Sequence, residues 1–334
     1  MDLNPTRPTF DFIPMGPGAG PLTSPSTFDD SRSMYIEMVR QVVEEAVAVH
    51  AAAEKKTISD VLKEVREHID ATAREHQKDE PAIDYQNALC RLGYLYRHAP
   101  ANATLFERVL RDCPDFLLKI KERNGARLHV CSVGGGPGTE LLGLSKFLLR
   151  RPELAPSKIQ FTVLDRIPQW AETWQRLADA VEDQFKKAPT GAKPSIAPSF
   201  LPMDVCDPTS YKSYAYHFST VDIVVFNYLF SENKTRLAAA AEAARHLLNS
   251  SPVGALFLFI DRHEADGQLT EAVRAMIPTT PPCTANLFGG TIDRDEDRKA
   301  MGDMLMGALG NPRVKFFTDN YRDPTAFWTA IRRT

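Results

Sequence analysis

The chain has 334 residues, 43% of them hydrophobic and 25% charged, with a net charge of −3. That composition excludes a wholly disordered chain and supplies apolar material for a sizeable core. The near-neutral charge excludes the broad basic excess of a general nucleic-acid binder, and no apolar run reaches the roughly 20 residues needed to span a bilayer.

Residues 1–30 are rich in Pro, Gly, Ser and Thr and are expected to form a flexible tail. Phe10, Phe12 and Ile13 are its anchors if it folds over a site. From 31 to 125 the pattern is helical. Met38, Val42, Val43, Ala46 and Val47 recur at three- and four-residue steps. Thr57-Ile58-Ser59-Asp60 caps a second helix striped by Val61, Leu62, Val65 and Ile69. Leu89, Leu92, Leu95 and Tyr96 predict a third, ending near Pro100. Leu105, Val109 and Leu110, then Phe116, Leu117 and Ile120, predict one or two more.

The grammar changes near residue 126. The short apolar run Leu128–Val133 stops at Gly134-Gly135-Gly136-Pro137-Gly138, and a stripe of Leu141, Leu142, Leu144, Phe147 and Leu148 follows. Ile159–Asp165 reads as a second strand, Phe200–Val205 as a third, Val221–Asn227 as a fourth and Ala255–Asp261 as a fifth, with helical spacing at Trp170, Trp174 and Leu177. Strands and helices alternating at these intervals predict a doubly wound, mostly parallel α/β sheet. Val314–Phe317 and Phe327–Ile331 are joined too tightly for a crossover, so an antiparallel hairpin is expected. Residues 264–312 read as an insertion covering the site. The cysteines (Cys90, Cys113, Cys131, Cys206, Cys283) are scattered without a C-x-x-C pair, so neither a disulfide framework nor a metal site is expected. With no secretory signal in the first residues, the expected protein is soluble and intracellular, in cytoplasm or nucleus.

Glycines between a strand and a helix allow unusual backbone angles and let a ligand touch the main chain, and the free N–H groups of the helix start favour an anion. The spacing from Gly134 is G-x-G-x-G. Thr139 stands where a dinucleotide fingerprint needs its third glycine, and no Gly-Lys-Ser/Thr follows as in a phosphate-binding P-loop. This loop resembles the first motif of the class I S-adenosylmethionine-dependent methyltransferases. Asp165 ending the second strand, Met203-Asp204-Val205 the third and Phe226-Asn227-Tyr228 the fourth follow that family in order, over about residues 127–334. The resemblance implies a Rossmann-like seven-stranded sheet with a C-terminal antiparallel hairpin as the cofactor-binding domain (126–334), and the helical pattern before it reads as an all-helical N-terminal cap (31–125).

It also implies S-adenosyl-L-methionine as cofactor. Gly134, Gly135, Gly136 and Gly138 then pack on the methionine part, and Asp165 accepts the ribose hydroxyls. Arg166 flanks the adenine, Asp204 and the Val205 N–H read its edge, and Asn227 borders the site. The family usually carries an acidic residue two positions before the first glycine. Here that position is Ser132, and Glu140, past the loop on the helix, is a poor geometric substitute.

Acceptor-side residues belong beyond the fourth and fifth strands. Candidates for catalysis are Tyr228, Asp261 and His263, and no metal is implied. The fourth-strand run Asn227-Tyr228-Leu229-Phe230 lacks the prolines of the family's adenine N6 methylases. In the cluster Gly93-Tyr94-Leu95-Tyr96-Arg97-His98, Arg97 either binds the methionyl carboxylate or snorkels, and Tyr94 or Tyr96 either walls the acceptor pocket or fills the core. The expected reaction is in-line methyl transfer to N or O of a small molecule or protein. Val133–Glu140 and the preceding helices also resemble eukaryotic proteins related to fungal ribosomal-RNA uridine-N3 methyltransferases, which makes RNA the alternative acceptor. A non-catalytic binding module that keeps the fold is the alternative of another class.

Overall fold

The computed structural model describes residues 27–75, 83–188, 193–262, 288–292 and 326–333. The chain enters through helices α1 (Thr27–Glu54), α2 (Ile58–Glu75), α3 (Ala88–Asp112) and α4 (Pro114–Glu122). Strands and helices then alternate: β1 (Arg127–Val133), α5 (Thr139–Arg150), β2 (Lys158–Asp165), α6 (Trp170–Lys187), β3 (Ser195–Pro202), α7 (Pro208–Ser213) and β4 (Ile223–Asn227). After them come α8 (Leu229–Glu232), α9 (Leu237–Ser250), β5 (Leu256–Arg262), β6 (Phe288–Ile292) and β7 (Ala326–Arg332).

One seven-stranded sheet has the order β3-β2-β1-β4-β5-β7-β6. Strands β1 to β5 are parallel, whereas β7 runs antiparallel to both neighbours. The chain winds outward from β1 to β3 and then restarts at β4 on the other side of β1. The reversal leaves a crevice at the C-terminal ends of β1 and β4, where ligands bind in open α/β sheets.

Both faces of the sheet are covered. Leu128 and Val130 of β1 and Ile223 and Val225 of β4 point into a core shared with α1, α2, α3, α5 and α6. The alternate residues Cys131, Val133, Val224 and Phe226 point into a second core with α8 and α9. The N-terminal helices therefore form a layer on one face of the sheet, continuous with α5 and α6. The segment 83–86 and the Tyr94 side of α3 reach its C-terminal edge. Contact between α3 and α5 is close: a Cβ on Gly143 would lie 2.5 Å from the Ala103 carbonyl oxygen.

The Thr57 cap forms as expected: Thr57 Oγ1 accepts from the Asp60 N–H at 3.2 Å, and Asp60 Oδ2 accepts from the Thr57 N–H at 3.3 Å. Three boundaries differ from the sequence pattern. Helix α3 continues through Pro100 to Asp112. An interior proline usually costs about 3 kcal/mol, but Leu95, Ala99, Ala103, Phe106, Val109 and Leu110 are all buried along that helix and hold it together. Strand β3 begins at Ser195, five residues before the expected run, with Pro198 inside it. It is an edge strand, the place where a sheet tolerates proline. The partner of β7 is Phe288–Ile292, inside the expected insertion and containing Gly289 and Gly290. The runs 1–26, 263–287 and 293–325, which include Val314–Phe317 and His263, lie outside the described residues. Among the described residues, no helix is long and apolar enough to cross a membrane, no group of acidic, His or Cys side chains could hold a metal ion, and Cys90, Cys113, Cys131 and Cys206 are free thiols.

Candidate active site

The glycine loop leaves β1 with its Gly134 N–H bonded to the Leu164 carbonyl at 2.7 Å. Gly134, Gly136 and Gly138 take φ values of +67°, +49° and +78°, a region that other L residues enter only with strain. At Gly138 sterics add a second demand, since a Cβ there would overlap the Trp174 ring. A Cβ on Gly136 would point instead toward Asp165, 4.0 Å from its Oδ2, with the Trp170 ring at 3.7 Å.

Asp165 ends β2 facing that loop. Its Oδ2 accepts the Gly136 N–H and its Oδ1 the Ile167 N–H, both at 2.9 Å. Burial pushes this carboxyl above its ordinary range, while the two N–H donors and Arg166 pull it back. Each oxygen keeps acceptor capacity for a further donor. Beside it opens a cavity of about 470 Å³ lined by Ile83, Asp84, Tyr85 and Gln86 on one side and Arg166, Ile167, Pro202, Met203 and Asp204 on the other. Asp204 also caps its own turn: Oδ1 accepts the Cys206 N–H at 2.8 Å and Oδ2 lies 3.6 Å from Arg236 Nη1. Val205 is buried behind it and Arg166 is exposed.

Four rings cluster beside the loop. Tyr94 lies 5.6 Å from Tyr85, 5.5 Å from Trp170 and 4.9 Å from His98, ring centre to ring centre. Burial drives the Tyr85 and Tyr94 hydroxyls well above their ordinary titration and the Glu232 charge adds to it, so both are neutral donors. The buried Tyr85 hydroxyl has no hydrogen-bond partner among the described residues.

Behind the loop sits a buried polar cluster. Ser132 Oγ donates to Glu140 Oε2 at 3.1 Å, and Asn227 Nδ2 donates to Glu140 Oε1 at 2.7 Å. Ser132, Glu140 and Asn227 retain 0%, 2% and 8% of their exposure. Burial raises the Glu140 carboxyl above its ordinary range, against the pull of its donors. Contrary to the expectation for a residue past the loop, the sharp turn at Gly138 brings the first turn of α5 back beside Ser132.

The acceptor-side candidates separate. Tyr228, left-handed at φ +58°, stands where β4 turns into α8, with its N–H bonded to Ile260 O at 2.8 Å. Asp261 is buried, and its Oδ2 accepts the Phe230 and Ser231 N–H groups at 3.0 and 3.1 Å. That carboxylate caps the start of α8. His263 is not among the described residues. Arg97 reaches back to α2, with Nη1 3.5 Å from Ile69 O. Tyr96 is a buried core residue, whereas Tyr94 packs on Tyr85 and Trp170. Sequence reasoning left Tyr85 and Trp170 out of the site. Trp170, five residues beyond Asp165 at a helix start, was the available signal; Tyr85 had none.

The sequence from residue 46 to 248, more than half of the chain, matches the family described as "Putative SAM-dependent methyltransferase". The chain belongs to this family. It is an S-adenosylmethionine-dependent methyltransferase, and S-adenosylmethionine is its cofactor. A search of curated proteins finds no sequence match. Among solved structures, the methyltransferase is similar to the plantazolicin methyltransferase BamL, solved with S-adenosylhomocysteine (10% identity, 82% of this chain and 99% of that one, TM-score 0.41). It is also similar to loganic acid methyltransferase with the same ligand (8%, 77% and 99%, 0.41). An O-methyltransferase family protein from Burkholderia thailandensis aligns at 13% identity over 74% of this chain and 60% of its own, with a TM-score of 0.40.

The methyltransferase's own residues fit such a cofactor. The space that a Cβ on Gly136 would enter lies beside a carboxylate able to accept paired hydroxyls, and next to it is a nucleoside-sized cavity. On the loop's other flank, the buried Asn227 Oδ1 has no donor among the described residues.

Proposed function

We propose that the methyltransferase holds the adenosine half of its cofactor in the cavity between the β2 and β3 ends and the segment 83–86. Asp165 accepts the ribose hydroxyls, Asp204 and the Val205 N–H read the adenine edge, and Arg166 flanks the ring. Gly134, Gly135, Gly136 and Gly138 carry the methionine half on their backbone, with Asn227 at its far end. The observation that carries this reading is the 2.9 Å bond from the Gly136 N–H to Asp165, which makes the loop and the diol acceptor one preformed unit. The helical layer, residues 31–125, serves as part of the same folded unit as 126–334, because it supplies one wall of that cavity.

Bound there, the cofactor supplies a methyl group on a sulfonium, and the protein's task is to align a nucleophile behind it. Tyr94, Trp170 and Tyr228 exclude water from the mouth and orient the acceptor. The acceptor is a nitrogen or oxygen of a small molecule or protein side chain that attacks with a free lone pair, a protonated amine giving up its proton first. The Glu232 charge near the Tyr85 and Tyr94 hydroxyls favours such a group over a polyanion. Incubation with methyl-labelled cofactor and fractionated cell extract tests this. Label is expected in the small-molecule or protein fraction, and label confined to RNA would overturn the acceptor assignment.

A further inference from the structure

Buried carboxylates in this protein generally have charged or backbone partners. Glu107 lies among Arg111 at 3.4 Å, Lys146 at 3.9 Å and Arg150 at 2.8 Å. Asp222 meets Arg123 at 2.6 Å, and Asp261 takes two backbone N–H groups. Glu140 differs in that, beside its own backbone N–H, its partners are neutral side chains. Its side-chain donors are the neutral groups of Ser132, Thr139 and Asn227, and among the described residues no cation pairs with it. A buried acid without a cation is costly to keep ionised, which is why such groups are nearly always paired. The second observation lies on the same amide. Asn227 spends its Nδ2 on Glu140 and leaves Oδ1 buried without a donor. An anion and an orphan acceptor on one side chain pair ask for a single kind of group, a cation that carries N–H bonds.

We infer that Glu140 and the Asn227 amide oxygen together seat the ammonium of the cofactor's methionyl end, with the acid relocated from strand β1 to the first turn of α5 and tethered there by Ser132. This rests on the placement of the cofactor proposed above. An ammonium satisfies both atoms at once. The sulfonium has no N–H and leaves Asn227 Oδ1 unpaired, and the adenosine half lies on the other flank of the loop, by Asp165. Ser132 explains itself in the same terms: the strand position lost its carboxylate and kept a donor that holds the replacement in place.

The test compares two ligands by calorimetric titration. S-adenosylhomocysteine carries the ammonium, whereas methylthioadenosine is the same nucleoside without the amino-acid tail. Glu140→Gln is expected to weaken S-adenosylhomocysteine binding about ten- to a hundredfold, the range of a lost charge-assisted contact, while methylthioadenosine binds as to wild type. The paired change Ser132→Asp with Glu140→Ala, which returns the acid to the strand, is expected to recover part of the loss. Unchanged affinity for S-adenosylhomocysteine in Glu140→Gln overturns the inference, and so does an equal loss for both ligands. A folded double variant that recovers nothing overturns the relocation. Wild type that binds neither ligand overturns the cofactor placement itself, a result distinct from all of these.

Discussion

Asp165 and Glu140 are both carboxyls pushed upward by burial, yet they differ in what compensates it. Asp165 is held by two backbone N–H groups, so its position survives without a ligand. Asp165→Ala is expected to weaken S-adenosylhomocysteine binding by about a hundredfold, roughly 3 kcal/mol for a charge-assisted pair, and also to lower the melting temperature, because the Gly136 and Ile167 N–H groups lose their acceptor. Glu140, by contrast, costs stability while it waits. Its folded titration lies above the ordinary 4.5, so its ionisation opposes folding at neutral pH, and that opposition fades as pH falls through the raised value. Glu140→Gln is therefore expected to raise the melting temperature of the ligand-free protein at pH 7, by an advantage that shrinks toward pH about 4. Asp261→Ala is expected to destabilise by about 1–3 kcal/mol, because two buried N–H groups lose their acceptor; urea unfolding reads this directly. Asp165 was legible in the sequence because a carboxylate closing an apolar strand has few other uses. Glu140 was not, because helical phase says where a side chain leaves α5 but not how far Gly138 bends the loop back.

At the scale of elements, the closest join is between α3 and α5. A Cβ on Gly143 would meet a backbone carbonyl, which cannot swing aside as a side chain would. Gly143→Ala is expected to cost about 1–3 kcal/mol and lower the melting temperature, as overpacking does. Most elements were readable from their periods: the glycine loop, the alternating runs of β1, β4 and β5, and the stripes of α1, α2 and α5. The misreadings share a cause, which is that tertiary placement overruled a local signal. Pro100 looks like a helix end until the burial on both sides of it is known. Pro198 and the Gly289-Gly290 pair look like breaks until the strands holding them prove to be the two edges of the sheet. No local pattern announces that a strand is an edge.

Across the whole molecule, the first four helices and the sheet share one core, from Met38 to Ala330. The helices have no separate interior of their own, whereas the sheet keeps a second core on its other face with α8 and α9. Urea denaturation followed by tryptophan fluorescence, which reports Trp170, Trp174 and Trp328, and by far-ultraviolet dichroism, which reports the helices, is expected to give superimposable single transitions. Two resolved transitions would show that the helical layer folds alone.

The backbone contact at Gly143 has a consequence for how two ligands sense each other. The helix that starts at the glycine loop cannot shift without dragging the helix that bears Tyr94. The floor beneath one guest and the wall against the other thus move as a single lever. On the ligand placement proposed above, coupling through that contact is expected to be reciprocal, each ligand changing the other's affinity by the same factor.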